Sequence, residues 1–272
     1  MTDVFTHIGK TGGTTLSTTL RWVYGPSSCY QIPAGRPEQP ERWFDDVSKK
    51  RVDKVRLVMG HATYGVHEQI SGPSRYFTML RHPIRRVVSL YYYIKSGWPE
   101  SEVASMSLEE FVHSDHRAAR PNDQVRFVSG EKPENAPKKA LRDAKRNLKE
   151  NFAAVGITER FDESLLLLQR KLGWSRPPVY VSSNVNRERP TVEELPSSTV
   201  DVVRRQNELD LELYRVAFDD FQERLSAEIP DLEHKLNRLD RMNRLVDVVG
   251  PPFLGMYRTA RSVMEAIVPT DR

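Results

Sequence analysis

The chain has 272 residues, 38% of them hydrophobic and 29% charged, with 41 Lys and Arg against 37 Asp and Glu and a formal net charge of +4. The composition is that of a globular protein. A single cysteine, Cys29, excludes an intramolecular disulfide and any multi-cysteine zinc site. No apolar run reaches the ~18 residues of a membrane span, and no basic-then-apolar leader opens the chain, so a reducing cytoplasm is the expected home. The mild basic excess suits an anionic ligand or substrate without selecting one.

In chain order, the apolar run at residues 4–8 predicts a first strand. It leads into Gly9-Lys10-Thr11-Gly12-Gly13-Thr14-Thr15. Leu16, Leu20 and Val23 then recur at i, i+4 and i+7, so a helix is expected from about Thr14. Residues 25–41, with prolines at 26, 33, 37 and 40, read as a loop or lid. Runs at 55–59 and 76–80 read as strands, and Pro83 suits the first turn of a helix in which Val87, Val88, Tyr91, Tyr92 and Ile94 crowd together. Residues 118–137 contain a second candidate lid, centred on the loop 130–137, and 138–150 form a charged helix of mixed sign. A strand at 153–157, a helix carrying Leu165, Leu166, Leu168 and Leu172, and a strand at 179–182 follow. Residues 195–225 read as one long helix with Pro196 near its start.

The tail after Pro230 places Leu232, Leu236, Leu239 and Leu245 at near-helical spacing among charges, with a last short helix beyond Pro251 and Pro252. The expected organisation is a domain over residues 1–230 and a C-terminal helical extension over 231–272. That extension packs on the domain or on a partner chain, a homo-oligomer being one outcome; a membrane-surface helix is the alternative. Short apolar strands alternating with helices predict an α/β fold with a mostly parallel central sheet flanked by helices. Such sheets bind ligands outside the carboxyl ends of their strands.

Three elements at those ends carry chemistry. Gly12 and Gly13 allow a sharp turn and close backbone approach, and the N–H groups at the start of the following helix form an anion site. Lys10 adds a movable positive charge, and Thr11, Thr14 and Thr15 add hydroxyls. The common phosphate loop has its lysine after the glycines; here Lys10 comes before them. In the second element, Arg81 ends a strand and Ser89 lies about two turns into the next helix, a pair able to clamp another phosphate. In the third, His61 follows the strand at 55–59, where a histidine suits proton transfer near neutral pH. His67 is the alternative base, and His7 beside the loop reads as a packing or supporting contact. His113, Asp115 and His116 have a spacing that suggests a metal but have no companion ligands in sequence; a solvated helix end is expected, and no metal site.

Together, HIGKTGGTTL (7–16) and RHPIRRVVSLYYY (81–93) resemble the sulfotransferases that use 3'-phosphoadenosine 5'-phosphosulfate (PAPS), and are nearest the heparan sulfate 2-O-sulfotransferase branch and its bacterial relatives. Weaker matches follow in order at NDQVRFVSG, VGITERFDESLLLL, NVNRERP and NELDLELYRVA, so the resemblance covers about residues 3–225. It implies a P-loop-like sheet, with Lys10, Thr11, Gly12, Gly13, Thr14 and Thr15 holding the 5'-phosphosulfate and Arg81 and Ser89 the 3'-phosphate. Arg187 would help close over the nucleotide. Gly9 stands where that branch has proline, which loosens the start of the loop. The branch carries two histidines around the base; here Met59 holds the first position and His61 the second.

The function so implied is sulfuryl transfer from PAPS to a hydroxyl of a carbohydrate or glycosylated acceptor, releasing adenosine 3',5'-bisphosphate. His61 would be general base, Lys10 would stabilise the leaving phosphate, and no metal is expected. A glycan, glycolipid or glycosylated natural product fits as acceptor; nucleic acid is not an expected partner, nor is a transmembrane segment expected. Two other readings stand beside it: an ATP-dependent, kinase-like phosphotransferase, and a non-catalytic nucleotide- or polyanion-binding protein on the same fold.

Overall fold

The computed structural model describes residues 1–32, 54–181 and 190–249. Five strands, β1 (Thr2–Thr6), β2 (Cys29–Gln31), β3 (Leu57–Gly60), β4 (Ser74–Leu80) and β5 (Phe152–Ile157), form one sheet in the order β2-β3-β1-β4-β5. Every pairing is parallel. The helices of the described residues are α1 (Gly13–Tyr24), α2 (Pro83–Gly97), α3 (Leu108–His113), α4 (Asp123–Ser129), α5 (Pro137–Glu150), α6 (Phe161–Leu172), α7 (Ser197–Gln206), α8 (Glu208–Glu228) and α9 (Leu232–Val249).

Side chains alternate across the sheet with the strand period of two. Val4, Val58 and Tyr76 pack on one face with α4, α5 and α8. Their neighbours Phe5, Met59 and Phe77 pack on the other with α1, α6 and α9. Both faces are covered, so the strands read as continuous apolar runs rather than alternating ones. A third cluster joins α2, α3 and α7 beside the sheet. After β3 the chain crosses β1 to place β4 on its other side, so the order reverses at β1. A crevice therefore opens at the carboxyl ends of the central strands, and the loops after β1, β3 and β4 carry the three predicted elements.

The expected strand at 179–182 is not formed by residues 179–181; Ser182 lies outside the described residues. Its backbone bonds go elsewhere: Val179 N donates to the Pro177 carbonyl at 2.9 Å, Thr19 Oγ1 donates to the Val179 carbonyl at 3.3 Å, and Tyr180 N donates to Asn243 Oδ1 at 3.0 Å. The short edge strand β2 lies inside the stretch expected to be a loop or lid, whose residues 33–41 are outside the described set. The single helix expected over 195–225 is two, α7 and α8, broken at Asn207. There the Asn207 amide donates to the Val203 carbonyl at 2.9 Å and accepts from Asn122 N at 3.2 Å. In the tail, Leu239 is 1% exposed and joins the α1–α6 face, which contributes roughly 2 kcal/mol. The last helix expected beyond Pro252 lies outside the described residues. Among the described residues no helix is long and apolar enough to cross a membrane.

Candidate active site

The loop after β1 turns sharply because Lys10 and Gly12 take left-handed backbone conformations, with φ of 68° and 79°. For a non-glycine residue this costs on the order of 1 kcal/mol or more. Gly13 is required by close approach, since a Cβ there would lie 1.9 Å from His7 Nε2. Helix α1 starts at Gly13, and Leu16 N is the first to bond back, to the Gly12 carbonyl at 3.1 Å. The N–H groups of Gly13, Thr14 and Thr15 are those that the first turn of a helix leaves without intrahelical partners. Thr14 is exposed and Thr15 half-buried, so both flank that end. Thr11 differs from the sequence expectation: its buried hydroxyl donates to the Ile8 carbonyl at 2.9 Å, which closes the turn instead of offering a ligand donor.

Arg81 joins this loop to the end of β4. Its Nη1 donates to the Lys10 carbonyl at 3.1 Å, and its Nε lies 3.8 Å from Glu159. Gln124, fully buried in α4, clamps the Arg81 backbone from both sides, accepting from Arg81 N and donating to Arg81 O, each at 2.9 Å. Asp210 in turn accepts from Gln124 N at 3.1 Å and Val125 N at 2.8 Å, which fixes the start of α4. Gln124 lies in the NDQVRFVSG stretch, where nothing in the local sequence assigns it a role. Beside Arg81 a cleft of about 230 Å³ is lined by Arg85, Val88, Pro190, Thr191, Val192 and Glu193. Ser89 is 5% exposed on α2 and does not line that cleft. Arg187 lies outside the described residues.

His61 sits immediately after β3, its outer edge open to solvent. Its Nδ1 is 2.7 Å from the His7 carbonyl. A carbonyl can only accept, so Nδ1 carries the proton and Nε2 keeps its lone pair. The His61 ring stacks on the His7 ring with centroids 4.3 Å apart, and His7 stacks on Phe5 at 5.5 Å. Burial of the ring's inner side pushes the His61 pKa below the ordinary histidine value, against the opposing pull of the His7 carbonyl and of Asp123. A neutral imidazole with a free Nε2 is a competent proton acceptor near neutral pH. Met59 is 1% exposed and faces the α1–α6 side of the sheet, in the core. Among the described residues, the aromatic neighbour of His61 is thus His7, on the adjacent strand end.

His67, the alternative base, is tied inward: its Nδ1 lies 2.8 Å from the hydroxyl of buried Tyr76. His113 and His116 serve their own turns, through the Glu109 carbonyl at 3.0 Å and Ala118 N at 3.1 Å. One contact had no sequence signal beyond the run of three tyrosines. The Lys10 ammonium lies 3.6 Å from the ring centroid of half-exposed Tyr93.

The loop, Arg81 and His61 therefore converge at one edge of the sheet, an arrangement suited to holding an anion beside a proton acceptor. Residues 45–245 match the family model described as Galactose-3-O-sulfotransferase. This chain belongs to the galactose-3-O-sulfotransferase family. The human protein Galactose-3-O-sulfotransferase 3 is 30% identical over 161 residues, 54% of this chain and 37% of the human one. Galactose-3-O-sulfotransferase 2 of the mouse is 29% identical over 165 residues, 57% and 41% of the two chains. Heparan-sulfate 6-O-sulfotransferase 3 of the mouse is 26% identical over 298 residues, 86% of this chain and 60% of that one. The matches thus span between about a third and three fifths of these relatives' own lengths. The likeness to the heparan sulfate 2-O branch stays at the level of the motifs. In this family member the match includes His61, Arg81 and Ser89, while the Lys10 loop precedes it.

Proposed function

We propose that this member of the galactose-3-O-sulfotransferase family moves a sulfuryl group from PAPS to a hydroxyl of a sugar-bearing acceptor, on a P-loop-like sheet. The observation that carries the reading is the Arg81 link to the Lys10 carbonyl at 3.1 Å, which ties two cationic elements together at the same sheet edge that carries His61. The leading N–H groups of α1, with Lys10, fit an anion of phosphosulfate charge. Arg81 beside its cleft fits a second phosphate, with Ser89 and Arg187 as further proposed contacts.

His61 Nε2 takes the proton of the acceptor hydroxyl as that oxygen attacks sulfur. A new O–S bond forms in line with the S–O bond that breaks, and the departing electron pair stays on the 5'-phosphate oxygen. Lys10 and the α1 N–H groups meet the charge that grows there, so they stabilise the transition state more than the ground state. The product is adenosine 3',5'-bisphosphate. Gln124 and Asp210 act one step removed, by fixing the Arg81 backbone.

Incubation with sulfur-labelled PAPS and galactose-terminated or heparan-type oligosaccharides tests the reading. Transfer of label to a sugar hydroxyl, abolished in Lys10→Ala, supports it. Magnesium-dependent phosphate transfer from ATP would replace it with a kinase reading. Bisphosphate binding without transfer to any acceptor would replace it with that of a nucleotide-binding protein.

A further inference from the structure

Among the described residues, five large hydrophobic side chains are strongly exposed. Met1 is at the first position, and Leu245 and Val248 are on α9. The other two, Tyr93 at 50% and Trp98 at 44%, lie together at the end of α2. Their rings meet edge to face, with centroids 5.1 Å apart and an interplanar angle of 77°. The Lys10 ammonium rests over the Tyr93 ring, 3.6 Å from its centroid. The exposed aromatic pair therefore abuts the side chain assigned to the breaking bond.

Burial was open to α2 aromatics. Tyr91, two residues earlier, is 4% exposed and its hydroxyl donates to the Met106 carbonyl at 2.7 Å. Tyr93 and Trp98 instead leave ring surface in water, where it lacks the gain that burial brings. An exposed indole next to a tyrosine that carries a cation on its ring suits a ligand with one apolar face and a polar rim. A hexose ring has that form: C–H groups line one face, and hydroxyls project from the edge. Galactose in particular carries several adjacent C–H groups on a single face.

We propose that Trp98, held on edge by Tyr93, is the stacking platform of the acceptor subsite, and that Tyr93 meanwhile positions the Lys10 ammonium. This rests on the reading of the chain as a sugar sulfotransferase and names the acceptor side of that site. Stacking of the sugar on Trp98 sets its reacting hydroxyl next to the Lys10 loop. Tyr93 couples the two events, with the cation over its ring and the indole packed edge to face against it.

The test is an NMR titration of the indole N–H of Trp98, assigned with Trp98→Phe, using N-acetyllactosamine with and without saturating adenosine 3',5'-bisphosphate. The expected result is a saturable shift of the Trp98 signal. Trp98→Ala should weaken sugar affinity at least about tenfold, as loss of an aromatic stacking contact implies, with bisphosphate affinity within about twofold of the parent. Trp98→Phe and Tyr93→Phe should keep most of the sugar affinity; Tyr93→Leu should lose it. A Trp98 signal that does not move, or equal sugar affinity in Trp98→Ala, overturns the proposal. Absence of bisphosphate binding alone bears on the donor reading, since the sugar arm is read without nucleotide as well.

Discussion

At the amino-terminal end of the sheet, the polar side chains satisfy one another. Asp3 accepts from Arg75 at both carboxylate oxygens and from the Tyr24 hydroxyl at 2.5 Å. The Tyr24 oxygen accepts from Trp174 Nε1 at 3.0 Å, and Arg75 also donates to the carbonyls of Lys171 at 3.3 Å and Leu172 at 2.7 Å. Burial together with Asp3 pushes the Tyr24 phenol far above its ordinary pKa, so it stays a neutral donor. At the carboxyl end the same strands lead into a loop with a left-handed Lys10, the open leading N–H groups of α1, and a histidine with only its inner nitrogen tied. The first end is closed and serves the fold. The second leaves the first N–H groups of α1 and the outer nitrogen of His61 at the surface, sets the Lys10 ammonium over the Tyr93 ring, and carries backbone strain at Lys10.

Substitutions at the two ends should therefore separate activity from stability. The largest expected effect is on turnover. His61→Ala should lower kcat by ~10²–10⁴, the usual range for losing a general base, while calorimetry finds bisphosphate affinity within about twofold. Lys10→Ala should lower kcat by ~10²–10³ and, unlike His61→Ala, also weaken the bisphosphate. At the opposite end Asp3→Ala leaves Arg75 and Tyr24 without their acceptor and should cost on the order of 3 kcal/mol in denaturant unfolding, with bisphosphate affinity unchanged. Equal damage to nucleotide binding there would erase the contrast.

Gln124→Leu lies between the two classes. It should cost about 1–2 kcal/mol of stability and weaken the bisphosphate several-fold, because the Arg81 backbone is released. Gln124→Glu keeps only the accepting half of the clamp and should fall between Leu and the parent. The smallest effect is on pH dependence. The His61 pKa is depressed by burial, so neutral base persists as pH falls past the ordinary value of about 6.5. The acid limb of kcat/KM, which reports the free enzyme, should therefore lie below that value and move upward in His7→Ala, where solvent reaches the stacked face. Folding stability tied to His61 runs the same way: it is fully present above the unfolded-state value and is lost as pH falls from there through the lower folded-state value, because the charged form is disfavoured in the fold.

Much of the sheet was legible because buried parallel strands leave unbroken apolar runs. Residues 76–80 and 153–157 fall within β4 and β5 almost as observed. The three residues of β2 carry too little pattern to stand out in a proline-rich stretch. Residues 179–181 have strand composition, but side chains of α1 and α9 take the Val179 carbonyl and the Tyr180 N–H. The break at Asn207 has no proline or glycine to announce it; it depends on a long-range bond with Asn122. At the site, the order Lys10-Thr11-Gly12-Gly13 and the placement of His61 and Arg81 at strand ends were readable. The contacts of Lys10 with Tyr93, His61 with His7 and Arg81 with Gln124 join residues distant in sequence, and no spacing rule brings them together.

On the proposed function, the carboxyl end of the sheet holds a nucleotide with phosphates on the 3' and 5' carbons of its ribose. The direct measurement is a magnesium-free calorimetric titration of the parent chain and Arg81→Ala with adenosine 3',5'-bisphosphate. One saturable site is expected in the parent, with at least about tenfold weaker binding in Arg81→Ala, as loss of a charge-assisted bidentate contact implies. A parent chain that binds no bisphosphate, or binds only ATP with magnesium, would contradict it.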